Sequence, residues 1–166
     1  MAAVEHFHSE DLHPIDLVES LAEVREWDFD RIGEDQIAMA VEGQWRTYSV
    51  TLAWSAHDES LRLICTFEFD PPEEKLAEMQ MAVAGANERI WTGSFSLWRE
   101  QKLMVYRYGL TLAGGAMATP GQVDAMLRAA LGACERFYPA FQLVGWGEES
   151  AEDALSIAMD DAYGRA

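Results

Sequence analysis

The chain has 166 residues, of which 49% are hydrophobic and 11% aromatic, which suits one compact domain around a single core. Its formal net charge is −17, and the acids crowd toward the ends: twelve acids and two bases in residues 1–44, eleven and nine in 45–147, six and one in 148–166. Such a surface repels phosphate backbones and anionic bilayers, which argues against nucleic-acid and membrane partners. No apolar run reaches the ~20 residues that span a bilayer. The first twelve residues lack the basic and apolar regions of a secretion signal, so a cytoplasmic location is expected. Cys65 and Cys134 sit in apolar patterns and make no disulfide framework; they read as buried thiols, a redox pair only if the fold joins them.

Met1–Leu12 reads as a flexible acidic segment ahead of a single domain over residues 13–166. Pro14 suits a first helical position, and Ile15, Val18, Leu21 and Val24 recur at spacing three as one apolar stripe. Trp27–Arg31 reads as a short strand that the fold can lose or merge. Ile37, Met39 and Val41 alternate with polar or small residues as a second strand, and Tyr48, Val50, Leu52 and Trp54 share one face of a third. Leu61 to Phe69 alternates again. Asp70-Pro71-Pro72-Glu73 reads as a helix start, with Asp70 as cap and Pro71 at the first helical position. The helix that follows carries Leu76, Met79, Val83 and Ile90, a stripe open to core packing or to a dimer surface.

Phe95 and Leu97 begin a hairpin that turns at Arg99–Lys102. Its second strand, Leu103–Leu112, is apolar or aromatic on both faces: Met104, Tyr106, Tyr108 and Leu110 on one, Leu103, Val105, Arg107 and Gly109 on the other. A strand wetted on one side is not written this way, so something is expected to cover its second face, a partner chain being one candidate. Thr119-Pro120-Gly121-Gln122 repeats the capping logic ahead of a long helix that Pro139 is expected to kink or end. A last helix begins at Ser150–Asp153, with Leu155, Ile157, Ala158 and Tyr163 as its apolar positions.

Candidate chemistry is sparse. His6, His8 and His13 stand among Glu5, Glu10 and Asp11, but a metal site needs fixed geometry and oriented ligands, so no metal is assigned. No glycine-rich phosphate loop, nucleophile elbow or activated cysteine is present, and no catalytic residue or cofactor is assigned. Glu73-Glu74 and Glu148-Glu149 precede helices, where the helix dipole accounts for them. Arg107 is the one charge in its strand; an internal pair with Glu100 or Glu68 is the expected reading, an anchor for a partner's carboxylate or carbonyl the alternative. Trp98 is a candidate surface anchor, though tryptophan also packs under helices. The candidate interaction residues are therefore Trp98, Tyr106, Arg107 and Tyr108.

With these segments in place the chain resembles the YbjN family, bacterial proteins labelled sensory transduction regulators. The likeness rests on Asn87-Glu88-Arg89, Gly93-Ser94-Phe95, Val105-Tyr106-Arg107-Tyr108 and Glu135-Arg136-Phe137-Tyr138-Pro139. The resemblance implies a fold like that of type III secretion chaperones, which are dimers that hold extended segments of client proteins. The expected fold class is α+β, a twisted antiparallel sheet with helices packed mainly on one face, in the order αβββαββα. The expected function is a non-enzymatic protein-interaction module, a homodimeric regulator or chaperone-like adaptor. A small-molecule sensor or enzyme is the first alternative; it needs Asn87, Arg89 and Arg107 to converge on one pocket between sheet and helices. A dedicated type III secretion chaperone is the second.

Overall fold

The computed structural model describes residues 13–163, with side chains to Met159. The acidic segment 1–12, with His6 and His8, lies outside the described residues, as does the side chain of Tyr163. The elements run α1 (Pro14–Val24), β1 (Asp28–Ile32), β2 (Gln36–Glu42), β3 (Thr47–Ser55), β4 (Ser60–Glu68), α2 (Leu76–Glu88), β5 (Ser94–Trp98), β6 (Leu103–Thr111), α3 (Pro120–Trp146) and α4 (Ala151–Tyr163). The six strands form one antiparallel sheet in the order β1-β2-β3-β4-β6-β5. Trp27–Arg31 is thus kept as a full edge strand, paired residue for residue with β2 from Asp28↔Ala40 to Ile32↔Gln36. Four strands therefore precede the second helix.

Alternation decides which face each strand buries. Ile37, Met39 and Val41 of β2, Tyr48, Val50 and Leu52 of β3, and Leu61, Leu63, Cys65 and Phe67 of β4 are buried in one cluster with the apolar faces of all four helices. The helices therefore share one side of the sheet, as the α+β class expects. α3 lies over the sheet with Phe137 and Phe141 meeting Phe95 edge to face, ring centroids 5.9 and 5.3 Å apart. Its start is a complete capping box: Gln122 N donates to Thr119 Oγ1 at 3.1 Å, and Thr119 N donates to Gln122 Oε1 at 2.9 Å.

Local signals were overridden at three places. α2 does not begin at Pro71. A residue before proline is pushed out of the helical region, so residues 70–72 stay outside the helix, Pro72 with φ −55° and ψ 146°, and a short 3-10 turn, Glu73–Lys75, follows instead. α3 continues through Pro139 to Trp146. An interior proline costs about 3 kcal/mol, but Phe141 and Val144 beyond it are fully buried at about 1.5–3 kcal/mol each, so packing outweighs the lost bond. In α1 a spacing of three drifts against the 3.6-residue turn, which puts Val24 about 180° from Ile15. Val24 is accordingly exposed and Ala22 takes its place in the core. The stripe on α2 is core as well: Met79 and Val83 are buried within the chain and are not free to form a dimer surface.

Candidate functional site

The segments that carry the family resemblance build one rigid corner. Asn87, in the last turn of α2, brackets the outer edge of β5. Its Nδ2 donates to Phe95 O at 3.0 Å and its Oδ1 accepts from Phe95 N at 2.7 Å, so a side chain stands where a seventh strand would pair. Tyr106, opposite Phe95 in the register, donates from Oη to Thr92 O at 2.8 Å. Burial pushes its phenol up to about 12, so it stays a neutral donor. Gly93 takes φ +74° directly over the Tyr106 hydroxyl. Together these contacts fix β5, β6 and the turn between α2 and β5.

The opposite face of the sheet carries no helix among the described residues. Its β5–β6 end is neither bare nor uniformly apolar. Val105 is fully buried yet lies outside the main core cluster. Trp98 donates from Nε1 to Ser96 Oγ at 3.0 Å, which lays the indole back along β5, and Ser96 is registered with Val105. Trp98 is only partly exposed, so one strip of the indole remains available. Further along, Arg62, Ile64, Ser94, Trp98, Arg107 and Gly109 line a shallow hollow of about 460 Å³. The expected covering of this face is thus supplied in part by Trp98 itself.

Arg107 is exposed, and among the described residues no carboxylate comes within ion-pair distance of it. The expected pairing with Glu100 or Glu68 does not form. The register gives the reason: Arg107 sits opposite Ile64 and Ser94, whereas Glu68 sits opposite Leu103. Arg62 on the same face pairs with Asp58. Tyr106 is withdrawn from the candidate surface because its side chain is fully buried on the helix side. Tyr108 also points to that side and is half-buried against the core. Of the four candidate residues, Trp98 and Arg107 share the open face.

The pocket alternative fails its own condition. A hollow of about 570 Å³ between sheet and helix is lined by Phe69, Pro71, Leu76 and Leu97 with Asp70, Glu73, Arg99 and Glu100 at its charged side, and by none of Asn87, Arg89 or Arg107. Asn87 is spent on Phe95, Arg89 donates back to Gly85 O and lines a different hollow, and Arg107 faces the other side of the sheet. His13 caps α1, its Nδ1 accepting from Ile15 N at 3.1 Å while its Nε2 meets Asp35 Oδ1 at 3.0 Å. Among the described residues no group of three His, Cys, Asp or Glu side chains is placed to hold a metal ion.

The fold does bring Cys65 and Cys134 together, Sγ to Sγ at 3.6 Å, both free and fully buried. The Cys65 contact and burial push the Cys134 thiol far above its ordinary value, which describes an inert packed pair rather than a nucleophile. One surface residue escaped the sequence reading: Trp91, fully exposed at the end of α2. The signal was its position just past Ile90 and off the buried stripe.

Two solved structures share this helix-backed antiparallel α+β fold. The crystal structure of YbjN from E. coli superposes with a TM-score of 0.50 at 10% identity, covering 92% of this chain and 93% of that one. A chain of the HopA1–SchA chaperone–effector complex superposes with a TM-score of 0.50 at 16% identity, covering 80% and 91%. The family model YbjN, described as "Putative bacterial sensory transduction regulator", matches residues 14–143. The chain belongs to the YbjN family. No curated protein matches it. Among the described residues no helix is long and apolar enough to cross a membrane.

Proposed function

We propose that this protein is a non-enzymatic protein-interaction module, a regulator or chaperone-like adaptor that works in the cytoplasm as a homodimer. In this reading it holds an extended segment of a partner protein against the uncovered sheet face, at Trp98 and Arg107. The observation that carries the reading is a guanidinium that has, among the described residues, no acidic partner, beside a partly exposed indole on a face that no described helix covers. Trp98 and Ile64 supply apolar area, and Arg107 supplies donors for a carbonyl or carboxylate. Docking on the face is favoured over strand addition at β5, because Asn87 already occupies the backbone groups of Phe95. The family description and the chaperone–effector likeness support a protein as the ligand class.

Partner capture from native cells tests this. Trp98→Ala and Arg107→Ala are each expected to weaken recovery of the captured protein by about tenfold or more, the effect of truncating an interface hot spot. Recovery unchanged by both substitutions contradicts the site. Light scattering of the purified chain is expected to return a dimer at roughly tens of micromolar; a monomer there contradicts the homodimer.

A further inference from the structure

A second patch lies on the helical side of the molecule, away from the open sheet face. Trp91 stands fully exposed on the turn between α2 and β5. The turn is not slack: Asn87 clamps Phe95 on one side, and Thr92 O accepts from Tyr106 Oη at 2.8 Å on the other. With the backbone of the turn already ordered, binding at Trp91 costs only the freedom of its own side chain. Beside it a cleft of about 340 Å³ opens against α3, lined by Ile90, Arg89, Arg128 and Arg136 over a floor that includes Gly132.

The charge of this cleft runs against the rest of the chain. The protein has 29 acids and twelve bases, yet three of the bases line the cleft and, among the described residues, no carboxylate does. Arg89 donates from Nη1 to Gly85 O at 2.8 Å, which anchors it in place, and the Arg136 guanidinium lies 4.9 Å over the Phe137 ring. The Arg136 Nε is buried without a hydrogen-bond partner among the described residues. Arg128 meets Asp124 at 2.9 Å, but the same carboxylate also engages Arg25, so one acid is divided between two guanidiniums. Among the described residues the local balance stays positive.

We propose that this cleft docks an acidic segment of a partner protein that also carries an apolar anchor. The carboxylates meet Arg89 and Arg128 in charge-assisted, bidentate geometry, and the apolar side chain packs on Trp91. Tryptophan and arginine are the residue types that dominate interface hot spots. A short peptide is favoured over a nucleic acid by length and charge. At physiological salt the screening length is about 8 Å, so a segment confined to the cleft feels mainly the three arginines. A phosphate backbone runs on into an acidic surface. The inference is independent of the sheet-face reading, because the two surfaces share no residue.

Fluorescence anisotropy with a labelled peptide of Glu, Asp, Leu and Phe residues tests it. The full chain is expected to bind this probe, more tightly at low salt. Trp91→Ala, the double variant Arg89→Ala/Arg128→Ala, and Gly132→Leu are each expected to weaken binding by about tenfold or more. At Gly132 no atom lies within 4 Å of an added Cβ, so leucine there projects into open space and fills the cleft while raising helix propensity. That variant keeps the test valid, since it folds at least as well as the parent. Trp98→Ala is expected to leave this binding unchanged, which separates the cleft from the sheet face. Failure to bind the peptide, or equal binding by Trp91→Ala and Gly132→Leu, overturns the proposal. So does tighter binding of a labelled single-stranded oligonucleotide. Conversion of a dimer to a monomer by Trp91→Ala also overturns it, by assigning the cleft to a second copy of the chain.

Discussion

Gly93→Ala is expected to lose about 3 kcal/mol of stability, a fall in melting temperature of about 10 °C for a chain of this size. Two effects add. Gly93 has φ +74°, where a residue with a Cβ is strained by about 1–2 kcal/mol. The added Cβ also runs into the hydroxyl and ring of Tyr106 and comes within 2.8 Å of the Arg107 carbonyl oxygen. Tyr106 is fully buried, so its ring has nowhere to retreat, and displacing it breaks the bond to Thr92 O at a further cost of about 1–3 kcal/mol. Gly33→Ala is the internal control. Its φ is +71° but nothing lies within 4 Å of the new Cβ, so it should lose only about 1–2 kcal/mol. Urea titrations of both variants check the difference; equal losses would mean that the Tyr106 contact contributes nothing.

Asn87→Ala is expected to lose a similar amount, about 3 kcal/mol, through a different mechanism. Both backbone polar groups of Phe95 depend on one side-chain amide, at 3.0 and 2.7 Å. Leaving a buried donor or acceptor unpaired costs about 1–3 kcal/mol each. Asn87→Asp does not restore the parent. The carboxylate still accepts from Phe95 N but faces Phe95 O without a proton to donate. Hydrogen exchange reads the effect locally: the Phe95 amide should exchange far faster in Asn87→Ala. An unchanged Phe95 amide would show that β5 does not need this bracket. The same loss uncovers the outer edge of β5, so the variant is also expected to self-associate more readily than the parent, because an unpaired edge recruits other strands.

These two residues show how much of the fold was legible and where legibility stopped. Alternation alone placed β2, β3 and β4 and the side each one buries, because a period of two leaves no freedom once one face is apolar. Thr119 and Gln122 announced the start of α3 because a capping box is entirely local. The failures are non-local. Pro139 sits inside a helix because Phe141 and Val144 need burial against distant strands. Asp70 does not cap α2 because two consecutive prolines hold the chain extended there. Cys65 and Cys134 meet across 69 positions, a distance in sequence that spacing could not bridge.

The candidate site was half legible. Arg107 stands out as the one charge in its apolar strand and Trp98 by its place beside the Ser94–Ser96 face, and the fold sets both on one open face. Tyr106 was named with them because its strand reads as apolar on both faces, and only the pairing with Phe95 reveals that its phenol belongs inside. The partners expected for Arg107 were wrong because cross-strand neighbours follow register, and Glu68 falls opposite Leu103. Trp91 was passed over because an exposed tryptophan and a buried one look alike in a sequence; its exposure follows from where α2 ends.

Docking of another protein on the sheet face that carries no described helix is read by site-specific photo-crosslinking in native cells, with a photoreactive residue placed at Ile64 on that face or at exposed Ala84 on α2. A protein adduct is expected from position 64 that Arg107→Ala abolishes, and none from position 84. Adducts of equal yield from both positions, or none from position 64, would contradict it.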